Sequence, residues 1–304
     1  MTTVSPEPIG TEDEFALLTE NAIELGLAAD AVPPVRRVDT HVEGRVVSAL
    51  LWGDKSPQIV FLHGGGQNAH TWDSVLLHLN VPALAIDLPG HGYSSWRDDR
   101  DYMAWTAAEA VVPVLRRWAP DARTVVGMSL GGLTTVRLTA LVPEFVRRAV
   151  VVDVTPSVHL RHRRMTQAQR GTTALINGAR TFPDREDMVR QAIAAAPQRS
   201  PAALRRGVRH NSRPSAGGGF EWRYDVLSEG PSDSSALWED VSASSARFTL
   251  VRGGDSVLVS DDDTAEFLRR SASTVVLTVP EAGHSVQSDR PRELAEIVRG
   301  VLET

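Results

Sequence analysis

The chain of 304 residues contains no cysteine, and Lys55 is its only lysine. The absence of cysteine excludes disulfides, a thiol nucleophile and thiolate metal sites. No run of about 18 or more uncharged apolar residues occurs, and no basic region followed by an apolar one opens the sequence. We therefore expect neither a membrane span nor secretion, and we predict a cytoplasmic location. The formal net charge of −6 does not favour nucleic acid as a partner.

Signals for phosphate or metal binding are also missing. The glycine-rich segment at residues 63–66 has neither the lysine nor the hydroxyl residue of a phosphate-binding loop, and no G-x-G-x-x-G opens a helix after the first strand. His159 and His162 lie three residues apart, but no third ligand follows at a suitable spacing. We predict no cofactor and no metal site.

A serine flanked by glycines is the most informative feature that the sequence does contain. Residues 127–132 read GMSLGG, after a β-branched run at 124–126 and before a segment of helical apolar spacing at 130–141. A Gly-x-Ser-x-Gly turn between a strand and a helix holds its serine in a strained conformation, with Oγ above the sheet. The pattern predicts Ser129 as a nucleophile.

A second signal lies upstream, where the apolar residues 59–62 run directly into His-Gly-Gly-Gly. Backbone without obstructing side chains can direct N–H groups at a substrate oxygen. Acyl transfer needs two such donors where the oxyanion develops, one of them from the residue after the nucleophile. The predicted donors are the amides of Leu130 and Gly65.

His284 is the best candidate for the general base that a serine nucleophile requires. It follows an extended segment and a turn, which would place it on a loop at the carboxyl end of a strand. We expect His63 to support the oxyanion loop and His91 to belong to a turn. Surface or packing positions are expected for the remaining histidines of the N-terminal half, His41, His70 and His78.

The acid that orients His284 has two candidates, Asp153 and Asp255, and each follows an apolar strand. The chain order Ser, Asp, His fits either. Asp255 lies one strand before His284, so we favour Asp255 as the triad acid. Asp153 is the alternative and would otherwise line the site.

Five motifs in a fixed order carry a resemblance to a known family. They are LHGGG at 62–66, DLPGHGYS at 87–94, GMSLGG at 127–132, RGGD at 252–255 and GHSVQ at 283–287. In these the chain resembles the serine hydrolases of the α/β-hydrolase fold from residue 59 to the C-terminus. The resemblance implies an α/β fold with a mostly parallel eight-stranded sheet, helices on both faces, a Ser-His-Asp triad and no cofactor. One departure is the third glycine of the oxyanion loop, where many single-domain relatives have a large residue.

The expected organisation has three parts. Residues 1–35 form an N-terminal extension with an amphipathic helix between residues 11 and 29, and residues 36–155 and 237–304 form the hydrolase core. The strand pattern disappears between 156 and 236, which predicts a helical cap inserted after the sixth strand. A cap would cover the site and select the substrate. The cap or the N-terminal helix could also join two copies in a homo-oligomer.

Three function classes follow from these motifs. The leading class is hydrolysis of a carboxylic ester or lactone of a small, largely apolar substrate through an acyl-enzyme. The alternative is cleavage of a carbon–carbon bond in a vinylogous diketone with the same triad. A non-catalytic ligand receptor is the least favoured class, because the catalytic motifs are intact.

Overall fold

A central sheet of eight strands organises the chain. The computed structural model describes residues 13–162, 166, 175, 178–226 and 233–304. The sheet has the order β1-β2-β4-β3-β5-β6-β10-β11. Its strands are β1 (Val35–Val42), β2 (Arg45–Trp52), β3 (Ile59–Leu62), β4 (Ala83–Ile86), β5 (Thr124–Met128), β6 (Arg148–Val152), β10 (Arg247–Gly253) and β11 (Val275–Val279).

Only the first part of this sheet is antiparallel. β1 pairs with β2 and β2 with β4 in antiparallel fashion, and every later pair is parallel. Parallel strands buried on both faces read as continuous apolar runs, and all four residues of β3 and of β4 are buried. The predicted mostly parallel eight-stranded sheet is confirmed.

Helices cover both faces of the sheet. In chain order, the helices among the described residues are α1 (Leu18–Glu24), α2 (Asp73–Leu79), α3 (Ala104–Trp118), α4 (Leu130–Leu141), α5 (Val158–His162), α6 (Arg185–Ala195), α7 (Pro201–His210), α8 (Leu237–Ala243), α9 (Asp261–Arg270), α10 (Val286–Asp289) and α11 (Pro291–Leu302). Of these, α6 and α7 do not pack on the sheet. Among the described residues, no helix has both the length and the apolar character needed to cross a bilayer.

The alternation of side chains along the strands produces two apolar cores. Val60 and Leu62 of β3 face a core built with α3, α4, α8 and α9. Ile59 and Phe61 face the opposite core, built with α1, α2 and α11. Pro113 in the sequence predicts an interruption of α3, but the helix runs through it.

The segment between β6 and α8 forms a small unit of its own. Its short strands β7 (Thr181–Phe182), β8 (Ser212–Pro214) and β9 (Phe220–Trp222) form a sheet of order β7-β9-β8, which the sequence analysis did not predict. Together with α6 and α7 they enclose a separate apolar cluster that includes Met188 and Trp222. We call this segment the insertion. The sequence of residues 165–176 also predicts a helix, but most of these residues lie outside the described part of the chain.

The N-terminal extension contributes one short helix to the described structure. Leu18 and Ala22 of α1 are buried in the core that also contains α2. The helix predicted between residues 11 and 29 is thus found, but it spans only Leu18–Glu24 and is shorter than predicted at both ends. Residues 11 and 12 lie outside the described part.

Candidate active site

Ser129 lies at the carboxyl end of β5 in a backbone conformation that L-residues rarely adopt, with φ 52° and ψ −116°. A Cβ at Gly127 would lie 2.1 Å from the carbonyl oxygen of Gly131, and a Cβ at Gly131 would lie 2.1 Å from that of Leu62. Only glycine fits at both positions, because the turn brings the helix α4 back onto the strands. The sequence motif thus forms a tight turn between β5 and α4 with Ser129 at its apex, the geometry expected of a nucleophile elbow.

His284 contacts one buried carboxylate. Its Nδ1 lies 2.8 Å from Oδ2 of Asp153, and the two side chains are 9% and 1% exposed. Asp153 directly follows β6 and also accepts hydrogen bonds from the N–H of Gly253 (3.0 Å) and the hydroxyl of Ser256 (2.5 Å). These bonds fix the carboxylate beneath the imidazole.

The prediction that Asp255 contacts His284 is wrong, because the carboxylate beside Nδ1 of His284 belongs to Asp153. Asp255 is exposed in the turn after β10, where its N–H donates to the carbonyl oxygen of Ala282. The same turn supplies Gly253 and Ser256 to Asp153. The turn after β10 therefore donates hydrogen bonds to Asp153, while its own Asp255 is exposed to solvent.

Ser129 and Asp153 lie close together because the strands that precede them, β5 and β6, are adjacent in the sheet. β5 and β6 pair up to Met128 and Val152, and the N–H of Ser129 donates to the carbonyl oxygen of Val152 at 3.2 Å. Since parallel strands end at one edge of the sheet, the loops that carry Ser129, Asp153 and His284 all lie at that edge.

The loop after β3 packs directly on the elbow. A Cβ at Gly64 would lie 2.5 Å from Sδ of Met128 and 3.2 Å from Cβ of Ser129. The N–H of Gly64 donates to Oε1 of Gln67 at 3.0 Å, and that of Gly66 donates to Nε2 of His91 at 3.0 Å. Within the described part of the chain, the amide of Gly65 between them has no such partner.

Two buried neutral histidines hold this loop. Nδ1 of His63 donates to the carbonyl oxygen of Gly64 (2.8 Å), and its Nε2 accepts from the N–H of Leu88 (2.9 Å). Burial lowers the pKa of His63, and burial together with His63 lowers the pKa of His91 to about 3. Both rings therefore stay uncharged and accept a backbone N–H through Nε2. His63 therefore bonds both to the loop after β3 and to Leu88, which is the contact expected of a residue that supports this loop.

Gln67 links the loop to the segment after His284. Its Oε1 lies 3.5 Å from Nε2 of Gln287 in α10, and the same Nε2 lies 3.3 Å from Oγ1 of Thr71. Gln287 is fully buried. The loop that bears the candidate oxyanion donor and the loop that bears the base are thus joined by side-chain amides.

The buried carboxylate of Asp87 joins three segments in the same region by hydrogen bonds. Its Oδ1 accepts the N–H of Ala69 at 2.7 Å, while its Oδ2 accepts Nη1 of Arg37 at 2.8 Å and the N–H of Tyr93 at 3.0 Å. Burial alone would raise the pKa of Asp87, but the Arg37 guanidinium keeps it below its ordinary value.

We predict that Asp87→Asn destabilises the fold by about 3–5 kcal/mol, because an amide NH₂ would face two donors and leave Arg37 without this counter-charge. Chemical denaturation checks this value. The exposed Asp54→Asn is the matched control and should change the free energy of unfolding by no more than about 0.5 kcal/mol. Equal stability of the two variants would contradict the anchoring role.

Contacts from the insertion fasten it to the candidate oxyanion loop. Nδ2 of Asn211 donates to the carbonyl oxygen of Gly66 at 2.7 Å. Nδ2 of Asn68 donates to the carbonyl oxygen of His210 (3.1 Å) and to Oδ1 of Asn211 (3.2 Å). The C-terminal end of α7 is thus held against this loop.

His70 lies beside these contacts, in a charged cluster that the sequence analysis did not find. Its Nδ1 lies 2.8 Å from Oδ2 of Asp73, its Nε2 lies 3.0 Å from Oε1 of Glu14, and its ring stacks on that of His210 at 3.7 Å. Burial would lower the pKa of His70, but Asp73 and Glu14 raise it to about 9. The His70 side chain is 4% exposed, which fits the expected packing position, but its ion pairs with Asp73 and Glu14 were not predicted. Only the spacing of His70 and Asp73, three residues apart, could have indicated the contact.

Three features lie at one edge of the parallel sheet: an elbow serine, a buried Asp–His pair, and a loop amide that has no partner among the described residues. Together they define a serine hydrolase of the α/β class. The comparisons with known proteins agree. The model of the alpha/beta hydrolase family matches residues 59–297. The chain belongs to this family.

One relative is similar over nearly the whole chain. It is Esterase Rv0045c of Mycobacterium tuberculosis, with 54% identity over 293 residues, which are 96% of each chain. A structure of that esterase, solved in work on its inhibition by transition metals, has a TM-score of 0.86 and 52% identity, covering 97% of this chain and all of the other.

A more distant relative has a different activity. The 2-(acetamidomethylene)succinate hydrolase of Mesorhizobium japonicum is 27% identical over 88% of this chain and 95% of its own length. The carbon–carbon alternative is not favoured, because the much more similar relative is an esterase.

Proposed function

We propose that the chain is a carboxylic ester hydrolase that acts through an acyl-enzyme on Ser129. The observation that carries this proposal is the contact between Nδ1 of His284 and Asp153 at the sheet edge where the strained Ser129 lies. The 54% identical esterase supports ester hydrolysis as the reaction.

In the proposed mechanism Asp153 fixes the tautomer of His284 that has its proton on Nδ1, which leaves Nε2 free to accept the proton of Ser129. Oγ of Ser129 attacks the ester carbonyl, and the amides of Leu130 and Gly65 hold the developing oxyanion. His284 then gives its proton to the leaving alkoxide. A water molecule, deprotonated by His284, releases the acid and restores Ser129.

Gly65 is the proposed loop donor because its neighbours are already bonded. The N–H groups of Gly64 and Gly66 are held by Gln67 and His91, which orients the peptide between them without using its own donor. A donor fixed before substrate arrives stabilises the transition state without reorganisation.

We predict that Gly64→Ala lowers kcat by about 10–100-fold with a smaller change in KM. The added Cβ would meet Met128 and Ser129 and would push the oxyanion loop away from the elbow, which weakens an interaction made mainly in the transition state. Steady-state kinetics on p-nitrophenyl acetate measure this. Gly300→Ala, whose Cβ would have nothing within 4 Å, should keep the wild-type kcat. An unchanged kcat in Gly64→Ala would remove the loop from the mechanism.

The insertion is proposed to act as a cap that selects a small, largely apolar ester or lactone. Its attachment to the oxyanion loop through Asn211 and its own apolar cluster support this role. A panel of p-nitrophenyl esters of increasing acyl length, with simple lactones and a vinylogous diketone beside it, tests the proposal. We expect turnover of short esters. Turnover of the diketone alone would overturn ester hydrolysis.

We also propose that transition metal ions inhibit this hydrolase, as the work on the 54% identical esterase describes for that enzyme.

The cytoplasmic location and the homo-oligomer stay predictions.

A further inference from the structure

Glu14 belongs to the N-terminal extension, yet its side chain is buried against the core and only 7% exposed. Its carboxylate accepts from Nε of Arg37 at 3.0 and 3.2 Å and from Nη2 of the same guanidinium at 2.5 Å. Its Oε1 also lies 3.0 Å from Nε2 of His70. Burial would raise the pKa of Glu14, but His70 and Arg37 lower it to about 2. The carboxylate is therefore ionised and joins two side chains of the core.

Both partners of Glu14 hold the 3₁₀ turn Ala69–Trp72, which follows the oxyanion loop. His70 is the second residue of this turn. Arg37 donates to Oδ2 of Asp87 at 2.8 Å, and Oδ1 of Asp87 accepts the first N–H of the turn at 2.7 Å. Glu14 therefore supports the turn by two routes, directly through the imidazole and indirectly through the guanidinium.

This turn is connected to both halves of the candidate catalytic machinery. Asn68, the residue before it, donates to Oδ1 of Asn211 at 3.2 Å, and Nδ2 of Asn211 donates to the carbonyl oxygen of Gly66 at 2.7 Å. Oγ1 of Thr71, within the turn, lies 3.3 Å from Nε2 of Gln287 in α10. A shift of the turn therefore reaches the candidate oxyanion donor and the segment that follows the general base.

His70 can serve two carboxylates only as a cation. Its Nδ1 lies 2.8 Å from Oδ2 of Asp73 and its Nε2 lies 3.0 Å from Oε1 of Glu14, and a neutral imidazole has a single N–H to donate. Burial would lower the pKa of His70, but the two carboxylates raise it to about 9. The imidazolium therefore persists at neutral pH and donates on both sides.

The ring of His210 covers this imidazolium from the insertion. The two rings lie 3.7 Å apart and 15° from parallel. Burial and the charge of His70 hold the pKa of His210 well below its ordinary value, so a neutral ring stacks on a charged one. The stack ties the end of α7 to the turn. Further charged or titratable groups around the cluster are Arg37, Asp87, Tyr93, Arg206 and Arg209.

We propose that Glu14 is a positioning residue, which binds His70 and Arg37 together and so fixes the turn that places the amide of Gly65. The N-terminal extension is then part of the catalytic apparatus rather than a packing extension. This role rests on the proposed ester hydrolysis, whereas the contact between Glu14 and His70 does not.

Loss of the proton from His70 should undo this support. A neutral ring leaves either Glu14 or Asp73 without a donor and sets a nitrogen lone pair against that carboxylate. We therefore expect full kcat below the pKa of His70 and a fall in kcat as the pH rises through about 9. KM should stay nearly constant, because the oxyanion donor acts mainly in the transition state.

The dependence of kcat on pH in Glu14→Gln tests this role. Glutamine keeps an oxygen that can accept from His70 and Arg37 but removes the negative charge. Since an opposite charge favours the charged form of a neighbour, the alkaline fall in kcat on p-nitrophenyl acetate should move to lower pH by at least about one unit. Glu20→Gln is the matched control, because Glu20 lies in the same extension and pairs with Arg206 of the insertion at 3.1 Å. It should keep the profile of the wild type.

His70→Gln supplies a second variant, which stays informative if Glu14→Gln does not fold. It has no group that titrates at this position, so its kcat should be lowered and the fall near pH 9 should disappear. Circular dichroism at each pH checks folding, and rates are corrected for spontaneous hydrolysis. Two-dimensional NMR of the imidazole Cε1–H groups, with His70 assigned by its missing signal in His70→Gln, measures the titration without substrate.

NMR should show that His70 loses its proton near pH 9 in the wild type and at lower pH in Glu14→Gln. An alkaline profile of kcat that is the same in the wild type and both variants would overturn the positioning role, as would a constant kcat while His70 titrates. Absence of ester turnover in the wild type would overturn the proposed function and this role with it, and the NMR titration would still decide the contact.

Discussion

Replacement of Ser129 by alanine should lower esterase turnover by about 10⁴–10⁶-fold while the protein stays folded. A triad acts as a unit, so loss of its nucleophile leaves only the contribution of the oxyanion donors and of substrate binding. Serine and alanine are equally strained in the backbone conformation at φ 52°. We therefore expect the thermal midpoint of Ser129→Ala to stay close to that of the wild type. Initial rates on p-nitrophenyl acetate measure the loss.

A fluorophosphonate probe supplies the control for this variant. It should label the wild type and leave Ser129→Ala unlabelled, because phosphonylation requires the same activated hydroxyl. Substantial turnover by Ser129→Ala, or labelling of another serine, would contradict the assignment of the nucleophile.

Asp153→Asn should lower kcat by about 10⁴-fold. An asparagine NH₂ beside Nδ1 of His284 would favour the tautomer with its proton on Nε2, which cannot accept the proton of Ser129. The carbonyl oxygen of the new amide can still accept the N–H of Gly253, so the turn after β10 should persist. Saturating rates of the purified variant measure this effect.

Asp255→Asn is the matched control, because both aspartates follow neighbouring strands. Asp255 is exposed and has no contact with His284, so its variant should keep kcat within about threefold of the wild type. A large loss in Asp255→Asn with a nearly normal Asp153→Asn would return the acid to the end of β10.

Most of the fold could be predicted from the sequence because its strands are short apolar runs followed by turn residues. The apolar run at residues 59–62, for example, has the bounds of β3. The elbow was predictable because its glycines are required by close backbone approaches to the carbonyl oxygens of Gly131 and Leu62. The strands β7 to β9 were missed, since runs of two or three residues carry no readable alternation.

The chain order Ser, Asp, His does not decide whether Asp153 or Asp255 is the partner of His284. β6 and β10 are neighbours in the sheet, with Val152 beside Val251, so Asp153 and Asp255 both lie at the edge that carries the site. What decides is the turn after β10, which gives the N–H of Gly253 and the hydroxyl of Ser256 to Asp153. One signal was available: Asp153 directly ends a buried apolar run, whereas Asp255 follows two glycines.

The cluster around His70 could not be predicted for a different reason. Glu14 and His210 contact His70 from positions 56 and 140 residues away in the chain, and no local pattern marks such contacts. They depend on how the N-terminal extension and the insertion pack on the core.

The central claim is that an acyl group passes through Ser129, and trapping that group tests it most directly. The wild type is mixed with excess p-nitrophenyl acetate, quenched in acid within the first turnovers, digested and analysed by mass spectrometry. We predict acetylation of the peptide that contains Ser129, and none at this position in Ser129→Ala or in protein denatured before mixing. Acetylation of a different residue during turnover, or turnover with Ser129 always unmodified under conditions where deacylation limits the rate, would contradict it.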